Sequence, residues 1–351
     1  MADYHDDLRL AHVLADAADA TTMERFKALD LKVETKPDLT PVTEADKAAE
    51  ELIRGHLARA RPRDAILGEE YGVEGTGPRR WVIDPIDGTK NYVRGVPVWA
   101  TLISLMEADP QGGGFRPVVG LVSAPALGRR WWAAKGAGAY TGRSLTSASR
   151  LKVSAVDRVE NASFAYSSLS GWEAQGRLDG FLDLTRTCWR TRGYGDFWPY
   201  MMVAEGSVDI CAEPELSLWD MAANAVIVEE AGGTFTSLEG APGPSGENAA
   251  ASNGLLHGRT ARVPEPAVLS TALHGTARRA GTPRGSGPPP ATSVRQPRRA
   301  WTAASSRLPK SASAWRKLLM ARSAMSSRET PAMFCERFST RRVFSSSDIS
   351  R

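Results

Sequence analysis

Four acidic positions in this chain stand where carboxylates can share a cation. In Trp81-Val82-Ile83-Asp84-Pro85-Ile86-Asp87-Gly88-Thr89-Lys90-Asn91-Tyr92 an apolar run ends on Asp84, Pro85 fixes the backbone, and Asp87 returns to the same side of the turn. Two hard oxygen anions a few residues apart at a strand end suit Mg²⁺, which takes carboxylates together with water and phosphate oxygens. Gly88 permits close backbone approach, and the residues after it can open a helix whose free N–H groups face an anion. Thr89 adds a hydroxyl at that spot. A lone Asp-Gly-Thr is commonly a turn with a capping threonine, but the full string is far more specific.

Three further segments carry acids at element ends. Ile66-Leu67-Gly68-Glu69-Glu70 is a short apolar run closing on adjacent carboxylates, which repel unless water or a cation relieves them. Solvated Glu-Glu pairs are also ordinary surface. Thr40-Pro41-Val42-Thr43-Glu44-Ala45-Asp46 sets Thr43 ahead of Asp46 at the spacing of a capping box, so it can be a plain helix start. Leu218-Trp219-Asp220-Met221-Ala222-Ala223 puts an acid in the first turn of a helix, where an acid needs no function. Each is ambiguous alone.

The surrounding pattern predicts the elements that hold these segments. A helix is expected from about residue 6 to 29, with Leu10, Val13, Leu14, Ala17 and Ala18 on one face. A second runs from Thr43 to Ala60 and carries Ala48, Leu52, Ile53 and Leu57. Strands are expected at 65–68, 81–84, 98–106 and 117–123, with a turn into another at 136–140. Beyond Leu151, strands at 161–167 and 208–212 alternate with helices at 176–186, 197–204 and 219–231. Gly232-Gly233 stops the last helix.

A chain of 351 residues with 42% hydrophobic content has length for a sizeable core. No apolar run is long enough to cross a bilayer, and the acidic start is unlike a secretion signal. The scattered Cys188, Cys211 and Cys335 argue against a disulfide framework or a zinc site, so a reduced, cytoplasmic protein is expected. The formal net charge of +4 hides a division: residues 259–351 hold 18 Lys/Arg against 4 Asp/Glu, leaving the body acidic. That Pro/Ser/Arg/Ala-rich tail is too poor in aliphatics to bury a core and reads as disordered, with a basic amphipathic stretch at 314–325. Its abrupt onset has the composition of a non-homologous extension. A polyanion-binding protein acting through this tail is the non-enzyme alternative, although the tail has no zinc knuckle, stacking motif or RGG repeat.

In this order and at these separations, the acidic segments resemble the inositol monophosphatase superfamily. The matching pieces are Pro-Val-Thr-x-Ala-Asp, Gly-Glu-Glu, Asp-Pro-Ile-Asp-Gly-Thr-x-Asn-Tyr and Trp-Asp-x-Ala-Ala, over roughly Asp6 to His257. The resemblance implies an α/β (α+β) fold, a layered α-β-α-β-α sandwich of the inositol monophosphatase / fructose-1,6-bisphosphatase type. Residues 1–145 would form an α+β half with most metal ligands, 146–258 an α/β half with the specificity residues, and 259–351 the basic tail. It implies a phosphomonoesterase using two or three Mg²⁺ ions. Glu69, Asp84 and the carbonyl of Ile86 would hold the first ion, and Asp84, Asp87 and Asp220 the second, with a third near Glu69. Thr89 would position the attacking water, Asp46 would hydrogen-bond Thr89, and the N–H groups of Gly88 and Thr89 would cradle the phosphate. A homodimer is expected by the same analogy. Clustered carboxylates without a basic partner predict that metal also stabilises the fold.

Substrate choice is expected near residues 190–196 and 213–220. Arg192-Gly193-Tyr194-Gly195-Asp196-Phe197-Trp198-Pro199-Tyr200 places an acid and aromatics where inositol phosphatases carry small neutral residues. That combination favours a cationic, partly planar alcohol, and the string resembles the histidinol-phosphate phosphatase branch. L-Histidinol phosphate is the expected substrate, with Arg192, Asp196, Glu213 and Asp220 among its contacts. Inositol 1-phosphate and a fructose bisphosphate are the alternatives. Asp196 can also be read as a mere N-cap ahead of Phe197, and Lys90 and Arg94 either attract phosphate or are surface charge.

Overall fold

The computed structural model describes residues 3–110, 112 and 114–260. The chain divides into two units, Met1–Leu273 and His274–Arg351, and every described residue belongs to the first. The expectations for the tail, including the basic stretch at 314–325, lie outside the described residues.

Helix α1 (His5–Arg25) buries Leu8, Ala11, Leu14, Ala15, Ala18 and Thr22, the spacing of one helical face. The expected stripe is turned from this one. Val13 is exposed and Leu29 lies beyond the helix in full solvent, because Phe26 takes an extended backbone and ends α1 four residues early. A hairpin of β1 (Val33–Thr35) and β2 (Pro41–Thr43) leads into α2 (Glu44–Ala60). Here Ala45, Ala49, Ile53 and Leu57 are buried, while Ala48 faces solvent. The helix starts as expected: Thr43 Oγ1 accepts from the N–H groups of Ala45 and Asp46, and Asp46 accepts from Thr43 N–H.

The chain continues through β3 (Ala65–Gly68), β4 (Gly72–Glu74), β5 (Arg79–Asp87) and the short helix α3 (Thr89–Val93). Then come β6 (Ala100–Ala108), β7 (Phe115–Ala124), β8 (Arg129–Ala134), β9 (Gly138–Ser144) and β10 (Ser147–Arg150). These strands form an eight-stranded sheet in the order β10-β9-β8-β7-β6-β5-β3-β4. Strand β5 is buried on both faces. Trp81 and Ile83 pack with Leu8, Leu14 and Ile53 of α1 and α2, whereas Val82 packs with Ala222 on the opposite side.

The second half runs β11 (Ser163–Tyr166), α4 (Leu169–Ala174), α5 (Leu178–Thr187), β12 (Arg190–Gly193) and α6 (Trp198–Ala204). It ends with β13 (Ile210–Glu213), α7 (Leu218–Glu230), β14 (Thr234–Thr236), β15 (Ala249–Ser252) and α8 (His257–Thr260). Five strands pair in the order β12-β11-β13-β15-β14. The helix expected at 176–186 is α5, and α4, which was not expected, precedes it across Gly176, whose φ is 67°.

Helices α6 and α7 lie between the sheets. Tyr200, Met201, Val226 and Ile227 share a core with Leu102, Val122 and Trp131 of the larger sheet and with Ala165, Cys211 and Ala251 of the smaller. Phe164, Ile210 and Ala212 turn to the far face, onto Trp172 of α4 and Phe181 of α5. The layers are therefore α1/α2, sheet, α6/α7, sheet, α4/α5, which is the expected sandwich. Helix α7 comes so close to the larger sheet that a Cβ on Gly120 of β7 would stand 2.4 Å from Val226 and 2.6 Å from the carbonyl of Ala223. This approach sets the first turn of α7 beside β5, where Leu218 and Trp219 pack around Val82. Among the described residues no helix is long and apolar enough to cross a membrane.

Candidate active site

Asp84 follows Val82 by two residues and so shares the α7 face of β5. On a regular strand Asp87, three further on, would point to the opposite face. The ladder slips instead: Asp84 pairs with Leu102 but Asp87 with Ala100, so β5 carries one residue more than β6 across this step. The bulge turns Asp87 back toward Asp84. Helix α7 supplies the third acid from its first turn, where Asp220 Oδ2 accepts the Ser217 N–H at 2.7 Å. One carboxylate oxygen from each of Asp84, Asp87 and Asp220 lies within 4.8 Å of the others.

This cluster fits a metal on its own chemistry. Asp84 is 1% exposed, and its Oδ1 has no hydrogen-bond partner among the described residues. Burial, then Glu69, Asp87 and Asp220, push its carboxyl well above the ordinary value of 3.8. Burial, then Asp196, Asp220 and Glu213, raise Asp87 likewise. Asp220 is pushed up to about 6, by burial first and then by Glu69 and Asp196, against the Ser217 N–H. Carboxylates crowded into a dry spot need a cation among them to stay charged. An all-oxygen donor set suits a hard divalent ion.

Glu69 lies just past β3 in a turn anchored by a buried acid. Glu50 accepts the N–H groups of Glu70 and Tyr71 at 2.7 and 3.2 Å and pairs with Arg54 at 2.8 Å. The expectation of carboxylates without a basic partner does not hold for Glu69. Lys36 Nζ reaches Glu69 Oε1 at 2.7 Å and Glu70 Oε1 at 2.6 Å. Burial alone would depress the Lys36 ammonium, but the hydrogen bonds to the two glutamates outweigh it and raise it. Glu70 is pushed up to about 7, chiefly by burial.

Gly88 bridges β5 and α3 at a φ of 87°, and a Cβ there would stand 3.0 Å from Asp196 Oδ2 and 3.1 Å from the Val98 carbonyl. Thr89 opens α3, and its Oγ1 lies 3.0 Å from the Ile86 carbonyl and 3.3 Å from Asp46 Oδ1. One hydroxyl hydrogen serves these two acceptors, so the lone pairs of Oγ1 remain available to a water. Asp46 is fully buried behind Thr89 and is pushed up to about 6 by burial, against the bonds from Thr43 and Thr89.

Asp196 does not cap a helix. Helix α6 begins at Trp198 with Phe197 as its N-cap and no side-chain cap bond. Asp196 stands at a φ of 52° and accepts Asn91 Nδ2 at 2.8 Å, while the next residue, Phe197, donates its N–H to Asp87 Oδ2 at 2.6 Å. The segment expected to choose the substrate is thereby tied directly to the acidic cluster. Burial pushes Asp196 up to about 6, with Lys90 opposing. Glu213 ends β13, is 5% exposed and is raised by burial, Asp196 and Asp220.

A cavity of about 740 Å³ joins these residues. Its wall includes Glu69, Asp84, Ile86, Asp87, Gly88, Thr89, Asp196, Glu213 and Asp220. Nine carboxylates line it against one lysine, Lys90.

A match to the inositol monophosphatase family spans residues 3–269. The chain belongs to that family. A histidinol-phosphatase of Streptomyces coelicolor is 82% identical over 257 residues, covering 73% of this chain and 96% of the relative. The histidinol-phosphatase of Mycobacterium tuberculosis is 56% identical over 254 residues, covering 72% and 95%. Among solved structures, a Thermotoga maritima IMPase superposes with a TM-score of 0.64 at 29% identity, covering 74% of this chain and 96% of its own. Like its family, the chain is a phosphoric monoester hydrolase of generally metal-dependent type.

Within this family frame, one expected contact is not brought to the site. Arg192 is exposed on β12, an edge strand; its guanidinium donates to the Thr191 carbonyl at 2.7 Å, and it is not on the cavity wall. Conversely, Lys36, Glu50 and Asn224 enter the site without having been expected there. Asn91 and Tyr200 lay inside motif strings, but the partner of Asn91, Asp196, is distant in sequence, and no local spacing announces that contact or the place of Tyr200 on the cavity wall.

Proposed function

We propose that this family member hydrolyses L-histidinol phosphate to L-histidinol and inorganic phosphate by direct attack of water. The observation that carries this reading is the 82% identity to a histidinol-phosphatase along 96% of that enzyme's length. The cavity supports it physically. Beyond the metal cluster its wall holds Asp196, Glu213, Glu215 and Glu247 beside Phe197 and Tyr200, which suits a leaving group that is cationic and partly planar.

The ions of the proposal are Mg²⁺, two with a third near Glu69: Glu69, Asp84 and the Ile86 carbonyl would hold one, and Asp84, Asp87 and Asp220 another. Bound there, they would offset charge on the phosphate and on the departing alkoxide and ease ionisation of the attacking water. The chain's own groups supply the rest. Thr89 Oγ1, held by Asp46 and the Ile86 carbonyl, accepts a hydrogen from the attacking water and aims its oxygen at phosphorus. Glu69 is the carboxylate placed to take the proton of that water. The N–H groups of Gly88 and Thr89, at the first turn of α3, hold phosphate oxygens. Asp196, Glu213 and Asp220 face the leaving alcohol, whose oxygen takes up a proton as the P–O bond breaks.

In this reading residues 1–145 supply most metal ligands and 146–258 the specificity residues. A homodimer in the cytoplasm completes it, and sedimentation of the purified chain tests the dimer. The polyanion-binding alternative concerns residues outside those described, and family membership favours the enzyme. The test of substrate is phosphate release with Mg²⁺ from L-histidinol phosphate, inositol 1-phosphate and fructose 1,6-bisphosphate. A clear preference for the first is expected. Equal or faster turnover of either alternative overturns the assignment.

A further inference from the structure

Besides Asp84 Oδ1 of the acidic cluster, three buried polar atoms in the cavity wall have no hydrogen-bond partner among the described residues: Tyr200 Oη, Glu213 Oε1 and Asn224 Oδ1. They come from three separate elements, α6, β13 and α7, and the residues are 1%, 5% and 1% exposed. Folded proteins leave few such atoms unmet, and three converging on one cavity mark a place built for a ligand. The thiol of Cys211 is the polar group beside the Tyr200 hydroxyl, and a thiol is a weak partner. Asn224 is fixed in orientation, because its Nδ2 donates to the Asp220 carbonyl at 2.7 Å. That bond leaves Asn224 Oδ1 as the atom free for a ligand.

The chemistry of the set is specific. Glu213 and Asn224 offer acceptors, one of them a carboxylate, and Tyr200 offers a donor. A complementary ligand brings several N–H donors on a cationic group and one acceptor atom. A cyclic polyol could meet the hydrogen bonds but would leave the carboxylate without a counter-charge. We propose that Tyr200 and Asn224 are specificity-determining residues that complete, with Glu213, a recess for the nitrogen-bearing end of the leaving group. The ammonium is received by Glu213 and by the Asn224 carbonyl, and an unprotonated ring nitrogen accepts from the Tyr200 hydroxyl. This assignment rests on the substrate reading above and deepens it.

The test compares kcat/KM for L-histidinol phosphate with kcat/KM for phenyl phosphate, whose leaving group has no nitrogen. It uses the full chain with Mg²⁺, as wild type, Tyr200→Phe and Asn224→Ala. The ratio of the two is expected to fall roughly tenfold or more in each variant, mainly through KM for L-histidinol phosphate. Calorimetry should show weakened binding of L-histidinol by about the same factor. A ratio within about twofold of wild type in both variants overturns the recess while the substrate reading stands. Wild type that cleaves phenyl phosphate but not L-histidinol phosphate overturns both together. Should circular dichroism show one variant unfolded, the other carries the test, since the two residues sit on different helices. A fall in only one removes the other residue from the recess.

Discussion

Thr89 and Asp46 meet at 3.3 Å through Oγ1 and Oδ1, while the other oxygen of Asp46 receives the Thr43 N–H at 2.8 Å. One buried carboxylate thus fixes the start of α2 and the hydroxyl that opens α3. Asp46→Asn can keep the cap, but its amide replaces one acceptor by a donor and disturbs the orientation of Thr89. We expect kcat to fall about 100-fold with helix content intact, and Thr89→Val to lose at least as much, whereas Thr89→Ser keeps most activity. Initial rates with circular dichroism on the same samples check this. Full kcat in Asp46→Asn would exclude the carboxylate from water positioning.

The same residues show what a sequence can and cannot disclose. Asp84, Asp87 and Asp220 were legible because each stands at the edge of a strong local pattern, a buried strand end or a helix start. The bulge that puts Asp87 on the side of Asp84 is not encoded in that pattern; it is a property of the pairing with β6. Lys36 meets Glu69 across 33 positions, and Asn91 meets Asp196 across 105, so neither contact has a local signature. The helices were found with their faces misphased, since alanine-rich stripes give little contrast between Ala48 and Ala49 or around Val13. Strand β15, Ala-Ala-Ala-Ser, is buried throughout and has no alternation to read. Arg192 was drawn in by proximity to Asp196 in sequence, but β12 carries it to the surface edge.

Asp84 is held in a place that favours function over stability. It is buried and raised by three acidic neighbours, and Oδ1 is unmatched. Asp84→Asn removes that charge while nearly preserving shape. Metal-free Asp84→Asn is therefore expected to melt a few degrees above metal-free wild type at neutral pH, while losing essentially all phosphatase activity. Calorimetric melts in chelator, paired with phosphate release in Mg²⁺, decide it. A variant that melts lower without metal would mean that the buried carboxylate is already compensated.

The pH dependence has a definite sign. Asp46, Asp196 and Asp220 titrate near 6 in the fold and Glu70 near 7, against ordinary values of 3.8 and 4.5. The folded state holds more protons than the unfolded chain across that window, so these acids take stability away as pH rises from about 4 to about 7. Buried His12, lowered to about 4 by burial and Arg130, pulls the other way, and it does so equally with or without metal. The informative quantity is the difference. A divalent ion binds the ionised carboxylates, so the gain in melting temperature on adding Mg²⁺ should grow from about pH 5 to about pH 8. A gain that is flat or shrinks over that range would place the bound ion away from these acids.

Gly88 sits between the acidic cluster and Asp196 at a point with no spare room. Its φ of 87° disfavours any side chain, and an added Cβ would press on Asp196 Oδ2 at 3.0 Å and on the Val98 carbonyl at 3.1 Å. Gly88→Ala is therefore expected to cost about 1–3 kcal/mol of stability and to displace Asp196 from Asn91. Asp196→Asn separates charge from position, because asparagine tolerates the same left-handed backbone and keeps the side-chain shape. If Asp196 selects a cationic alcohol, the asparagine variant loses roughly tenfold or more in kcat/KM for L-histidinol phosphate relative to inositol 1-phosphate. Its melting temperature without metal should not fall, since one buried negative charge beside Asp87 has gone. An unaltered preference in Asp196→Asn, with Gly88→Ala still impaired, would reduce Asp196 to a spacer that holds the Asn91 loop and leave Glu213 to choose the substrate.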